Sequence, residues 1–285
     1  MIKTGARPLY EAVEENGNVV VGPIDSLNLA QTLDCGQAFR WSPNDDGSWS
    51  GVAHGRMLTV SLGAGKFILH DCLLTEYKEI WEQYFDLDRD YAELKRRFSA
   101  DPVMEKAVQY AGGIRVLKQE PWETLCSFII SQNNNIKRIK GIISRLCEQF
   151  GEPARGGGYA FPPPERLAAL SPGGLSQIRC GFREKYILDA AGKVASGEID
   201  LDALSNMPID TARDELMKIK GVGPKVAACA LLYGLGFKDA FPIDVWIRRA
   251  LEVLYGGELP QILLKEAGIA QQYLFYYVRE EKIKI

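Results

Sequence analysis

A lysine and an aspartate nineteen residues apart carry the plainest chemistry in this chain: Lys225 in Gly221-Val-Gly223-Pro224-Lys225, and Asp244 in Phe241-Pro-Ile-Asp244-Val-Trp246. Pro224 suits the first position of a helix, so Lys225 falls in a first turn. There the positive end of the helix dipole opposes an ammonium ion, and desolvation acts in the same direction. A free amine so placed is a nucleophile that can form a Schiff base. Asp244 follows a proline-containing turn and precedes an apolar stretch, the position of a helix N-cap. The same carboxylate could also steady a developing cation.

The glycines before the lysine admit two readings. At Gly221 and Gly223 a positive φ would bare backbone N–H groups beside a helix N-terminus, where a phosphate can sit. The plainer reading is a helix C-cap and a tight turn. A dinucleotide fold is excluded, because a helix precedes the glycines and residue 226 is Val.

The elements that must position these residues fall into two regimes. From Val19 to His70 short alternating segments (NVVVG, FRW, SWSGVAHG, RMLTVSL, KFILH) separated by Gly- and Asp-rich breaks predict an antiparallel sheet. Beyond Leu73 the helical period takes over, as in Ile136, Ile139, Ile143, Leu146 and Phe150, with Lys137, Arg138, Lys140 and Arg145 largely opposite. Pro121 opens a helix through Cys126 and Phe128, and Gly151–Pro164 reads as loop. Thr211-Ala-Arg-Asp214 matches a capping box and predicts a helix start there, with the helix ending at Ile219 or Lys220. The fold class expected is α+β: an antiparallel-sheet domain over residues 1–110 and a helical region over 111–285, whose two subdomains flank a cleft.

Composition bounds the rest. The chain has 285 residues, 46% hydrophobic and 25% charged, the balance of a globular protein. The formal charge of −3 argues by itself against a polyanion partner, but it divides into −7 over residues 1–90 and +4 over 91–285. A polyanion site belongs in the second part. Six scattered cysteines without a CxxC pair, and only two histidines, call for no metal and no cofactor. No run approaches the roughly 18 apolar residues of a membrane span. A reducing, cytoplasmic setting is expected, nucleoid-associated in a prokaryote.

Hairpin, Gly-Val-Gly, Lys and then Pro-x-Asp resemble the helix-hairpin-helix motif of a DNA glycosylase superfamily. Two further segments sharpen the resemblance. Cys35-Gly36-Gln37-Ala38-Phe39-Arg40-Trp41 is similar to the GQ(S/A)FRW strand of 8-oxoguanine DNA glycosylases, and Gln119-Glu-Pro-Trp-Glu123 with Ser127-Phe-Ile-Ile-Ser-Gln-Asn133-Asn-Asn-Ile-Lys-Arg138 to their QDPxE and SFIxSxNNNIxRI segment. The motifs stand in the family's order.

The resemblance implies a bifunctional glycosylase and lyase. Lys225 would attack C1′ of the damaged nucleoside, Asp244 would stabilise the cationic sugar, and the resulting imine would permit β-elimination and a nick 3′ to the lesion. Cys229 and Phe275 would face the two sides of a flipped base, Gln271 its Watson–Crick edge, and the Gly36 carbonyl the N7–H that 8-oxoguanine has and guanine lacks. Asn133, Arg138 and Arg183 would read the cytosine opposite, with Phe182 wedged into the stack and the Gly221 and Gly223 hairpin on the backbone. The partner implied is damaged double-stranded DNA, bound by a monomer, with positive potential around Arg138, Arg183 and 221–225. Read from the residues alone, Cys229 and Phe275 serve equally as core, Gln271 as a solvated helix residue, and the Asn triplet as a cap. Where animal members have a histidine contacting a phosphate, this chain has Trp246. Two competitors remain open: a non-catalytic DNA grip, which needs no lysine–aspartate pair, and an alkylbase glycosylase.

Overall fold

The computed structural model describes residues 9–281. Six antiparallel strands form one sheet in the order β1-β2-β6-β5-β4-β3: β1 (Glu11–Glu15), β2 (Asn18–Gly22), β3 (Trp41–Pro43), β4 (Trp49–Ala53), β5 (Arg56–Gly63) and β6 (Lys66–His70). Strands β2 to β6 are the predicted ones. Strand β1 was not anticipated, because EAVEE carries too few apolar residues to alternate; it pairs with β2 from Glu11 opposite Gly22 to Glu15 opposite Asn18. An acidic outer strand of this kind discourages further edge pairing.

Alternation buries one residue in two: Val19 and Val21, Leu58 and Val60, and Phe67 and Leu69 turn to the same core. That core is closed by Trp41, Trp81, Tyr84 and Phe85, with the Trp41 indole donating to the Tyr84 hydroxyl at 2.7 Å. Gly51 is required here, since a Cβ would lie 2.4 Å from the Trp41 ring.

A second core is helical. It begins with the helices Tyr91–Phe98 and Pro102–Ala111 and continues through Pro121–Ser131, Ile136–Phe150, Glu184–Ala195, Ile209–Met217, Pro224–Ala230, Val245–Tyr255 and Ala267–Glu280. Pro121 occupies the first turn of its helix as predicted, and Asn135 caps the next by accepting from the Arg138 amide at 3.0 Å. The C-terminal helix returns to the start of this layer: the Tyr273 hydroxyl donates to the Ile114 carbonyl at 3.0 Å, and Tyr273 packs on Phe98.

Two local expectations are corrected. The helix before the hairpin begins at Ile209 and ends at Met217. Pro208, with φ −56° and no N–H, takes the cap position, so Thr211 lies within the first turn rather than at its mouth. Of the two hairpin glycines only Gly221 has a positive φ (+80°), and a Cβ there would meet the Tyr186 ring at 2.4 Å. Gly223 is extended (φ −100°, ψ −177°) and caps the Pro224–Ala230 helix, with open space where its Cβ would stand.

Candidate active site

Five stretches of the sequence meet at one small cavity of about 50 Å³. The hairpin's second helix supplies Lys225 and Cys229, and the helical turn Leu231–Leu235 that continues it supplies Tyr233; the turn after that supplies Pro242 and Asp244; the C-terminal helix supplies Gln271, Gln272 and Phe275; and Cys35, Gly36 and Phe128 complete the lining. Lys225 and Cys229 are four residues apart and so share a helix face. The lysine Nζ stands 5.8 Å from the centre of the Phe128 ring, which itself stacks on Tyr233 at 5.4 Å and 16°. An aromatic face beneath the amine removes solvent from it while offering its quadrupole.

Asp244 is the N-cap of Val245–Tyr255, its Oδ1 accepting from the Ile247 amide at 2.8 Å. That bond fixes the carboxylate in the cavity wall. Between them the Cys229 thiol is pushed up to about 12, first by burial and further by the Asp244 charge, with Lys225 opposing. It stays a neutral, polarisable S–H over the accessible pH range, suited to lie against a flat ring.

The two adjacent glutamines divide the work. Gln272 accepts from the Tyr233 hydroxyl at 2.5 Å and reaches the Cys35 carbonyl at 3.5 Å, so it is a strut. Gln271 is buried (4% exposed), lines the cavity, and its Oε1 has no hydrogen-bond partner among the described residues. A buried unpaired amide oxygen costs about 1–3 kcal/mol and needs a reason. A ligand that donates a hydrogen bond supplies one.

Gly36, at φ +91°, is held by its neighbour. The buried Gln37 amide donates to the Thr32 and Arg115 carbonyls, both at 2.8 Å, and accepts from the Leu117 amide at 3.0 Å, while Gln119 donates to the Gln37 carbonyl at 2.8 Å. In the sequence Gln37 and Gln119 stand out only as letters of the two motifs. Their function is to clasp the Gly36 segment against the helical layer, which ties the first motif to the second. Arg40 and Glu123 do the same, paired at 3.0 Å.

The remaining candidates form a second group beside the cavity. Asn133 and Arg138 line an open groove of about 510 Å³ with Ser131, Asn134, Asn135, Asp244, Val245 and Trp246, so Asp244 borders both spaces. Trp246 and Val245 are well exposed on its rim. Phe182 is 53% exposed, with the Arg183 guanidinium 4.4 Å from its ring. Arg183 itself turns inward: Nε donates to the Gln132 carbonyl at 2.8 Å, Nη2 to the Gln132 and Asn133 carbonyls, and Nη1 to Cys180 O at 3.2 Å. In this arrangement it shapes the backbone that carries Asn133 (φ +52°) rather than facing the groove. Burial pushes its pKa down, and the nearby Arg138 charge adds to that.

The arrangement is a helix-hairpin-helix with an amine and a carboxylate lining one small cavity. Comparison with known proteins narrows the class. Residues 19–125 match the family model described as 8-oxoguanine DNA glycosylase, N-terminal domain, and residues 126–261 match the HhH-GPD superfamily base excision DNA repair protein. MBOgg1, solved in complex with a low-affinity DNA ligand, is 45% identical with a TM-score of 0.91, covering 96% of this chain and 99% of that one. Clostridium acetobutylicum 8-oxoguanine glycosylase/lyase, solved with double-stranded DNA containing cytosine opposite 8-oxoG, is 34% identical with a TM-score of 0.89, covering 96% and 98%. The N-glycosylase/DNA lyase of Saccharomyces cerevisiae is 32% identical over 262 residues, 78% of this chain and 67% of its own length. The chain belongs to the 8-oxoguanine DNA glycosylase family.

Proposed function

We propose that this protein removes 8-oxoguanine paired with cytosine from duplex DNA and then cleaves the abasic strand. The observation that carries the reading is the cavity in which Lys225 and Asp244 meet the buried, unpaired Gln271 oxygen. The target base must leave the stack to be reached, at a cost of a few kcal/mol. Gln271 takes its Watson–Crick edge, Cys229 and Phe275 its faces, and Gly36 the N7–H. Guanine, with an acceptor at N7, would leave that carbonyl unpaired and repelled.

The amine of Lys225 attacks C1′ as the bond to the base breaks, and the departing base takes up a proton. Cationic character develops on the sugar, and Asp244 stabilises it. Loss of a proton from nitrogen and opening of the sugar ring leave an imine between Nζ and C1′. The imine acidifies C2′–H, and removal of that proton expels the 3′ phosphate by β-elimination. Arg138 and Asn133 read the cytosine left behind, on a groove wall that Arg183 holds from within; Phe182 fills the stack, and the Gly221 to Gly223 turn grips the backbone.

A cavity completed by one chain's own segments supports action as a monomer. Six buried free thiols fit a reducing cytoplasm. Borohydride added during reaction with an 8-oxoguanine·cytosine duplex should trap a covalent complex. No adduct from wild-type protein that binds this duplex overturns the reading. A parallel duplex containing methyladenine separates it from alkylbase excision, since preferential release of methyladenine would reassign the substrate.

A further inference from the structure

The cavity is far smaller than the roughly 300 Å³ at which small-molecule pockets begin, so a base enters only when a wall moves. Cys229 and Gln271 are buried in the core, whereas Phe275 is only half-buried, one turn before the end of its helix's packed part. One turn further on, the Arg279 guanidinium lies 5.2 Å from the Phe275 ring centre and 5.7 Å from that of Tyr276. Glu280 anchors it, with Nε and Nη2 each 2.8 Å from Oε1. Its Nη1 reaches the other side of the mouth, 3.9 Å from where a Cβ on Gly36 would stand. Arg279 thus bridges the half-buried aromatic and the glycine.

We propose that Arg279 is a positioning residue, a latch that holds Phe275 inward over the slot both before a base arrives and once one is seated. A planar guanidinium suits this because it stacks on the ring while keeping its N–H groups for Glu280. A surface contact of this kind is worth about a two- to fivefold change in population. The proposal rests on the functional reading only for its second test.

In the free protein, Cys229 lies beneath the lid and reports its opening, while Cys126, buried elsewhere, serves as control. Labelling by a small neutral thiosulfonate, resolved by peptide mass, should run about two- to fivefold faster at Cys229 in Arg279→Ala, with Cys126 unchanged. Arg279→Lys should be intermediate, and Glu280→Gln should move in the same direction. An unchanged Cys229 rate, or a Cys126 rate rising in step, overturns the latch. In the second test Arg279→Ala should release 8-oxoguanine about two- to fivefold more slowly but cleave a preformed abasic site at the wild-type rate, because no base remains to be held. Equal loss of both steps would mean a merely structural residue. Wild-type protein that releases no 8-oxoguanine overturns the functional reading instead, and the labelling ratio still judges the latch.

Discussion

Arg40 and Arg183 are both nearly buried guanidiniums, and the two halves of the molecule treat them differently. Burial works against the charge of Arg40, but Glu123 at 3.0 Å, with the other acidic groups nearby, holds its pKa above the ordinary value. Arg183 has only carbonyls, and a second cation nearby. The contrast extends beyond the pair. Around the sheet, Arg56 and Arg155 meet Glu76, and Arg89 meets Asp86. Among the described residues, Arg138, Arg179, Arg183, Lys185, Lys220 and Lys225 enter no salt bridge. Arg138, Arg179, Lys185 and Lys220 are exposed and leave their charge open to a polyanion, whereas that of Arg183 is turned inward onto carbonyls. A net charge of −3 is therefore no obstacle to binding DNA.

The largest effect should come from the open side. Lys225→Gln removes the nucleophile and should abolish the borohydride adduct and strand cleavage, while thermal unfolding stays where it was. On the closed side the outcome reverses: Arg40→Ala leaves Glu123 buried without a partner and should cost about 3 kcal/mol of stability in denaturant unfolding. Glu123 also sets a pH signature. Burial raises its carboxyl to about 7, against the pull of Arg40. Because the folded value lies above the unfolded one, its contribution to stability is complete below about pH 4.5 and is lost as pH rises towards 7. Glu123→Gln should flatten that part of the stability curve; an unchanged slope would show that the carboxylate is ionised throughout.

Gln271 gives a smaller and sharper test, because it belongs to the open side although it lies in the core. Gln271→Leu should hold or raise stability by up to about 1 kcal/mol, since it removes an unpaired buried oxygen. Release of 8-oxoguanine should fall about 10- to 100-fold, for loss of hydrogen bonds to the base edge. A variant both less stable and fully active would make Gln271 a strut like Gln272.

What could be seen in the sequence follows the same division. The strands, the proline-led helix and the hairpin announce themselves through period and breakers, which are local. Lys225 and Asp244 stand out because their local positions, a first turn and a cap, have direct chemical consequences. Gln271, Cys229 and Phe275 look like core at the residue level, and only resemblance singled them out; their meeting with Gly36 depends on the C-terminal helix crossing back, which no local pattern encodes. Gln37 and Gln119 were invisible as clasps for that reason. The inward turn of Arg183 depends on carbonyls some fifty residues earlier. Arg279 carried one available sign, its i+4 spacing from Phe275, which places a cation on an aromatic of the same helix face.

The smallest effect tests whether the open charges recognise or merely attract. Arg138 is exposed, lines the groove beside Asn133 and Asp244, and has no carboxylate partner among the described residues. If it reads the cytosine, Arg138→Ala should reduce the preference for cytosine over the other opposite bases about tenfold, within the 1–3 kcal/mol of a base contact, and leave the salt dependence of binding unchanged. If it neutralises a phosphate, affinity should fall equally for every opposite base, and the slope of log K against log salt should become shallower by about 0.9. Arg183→Ala cannot make this distinction, because losing its bonds to Gln132 and Asn133 would move the groove wall itself. Arg138 is the one member of the pair whose substitution leaves the scaffold intact, so its opposite-base profile decides whether the uncompensated charge on this face is specific.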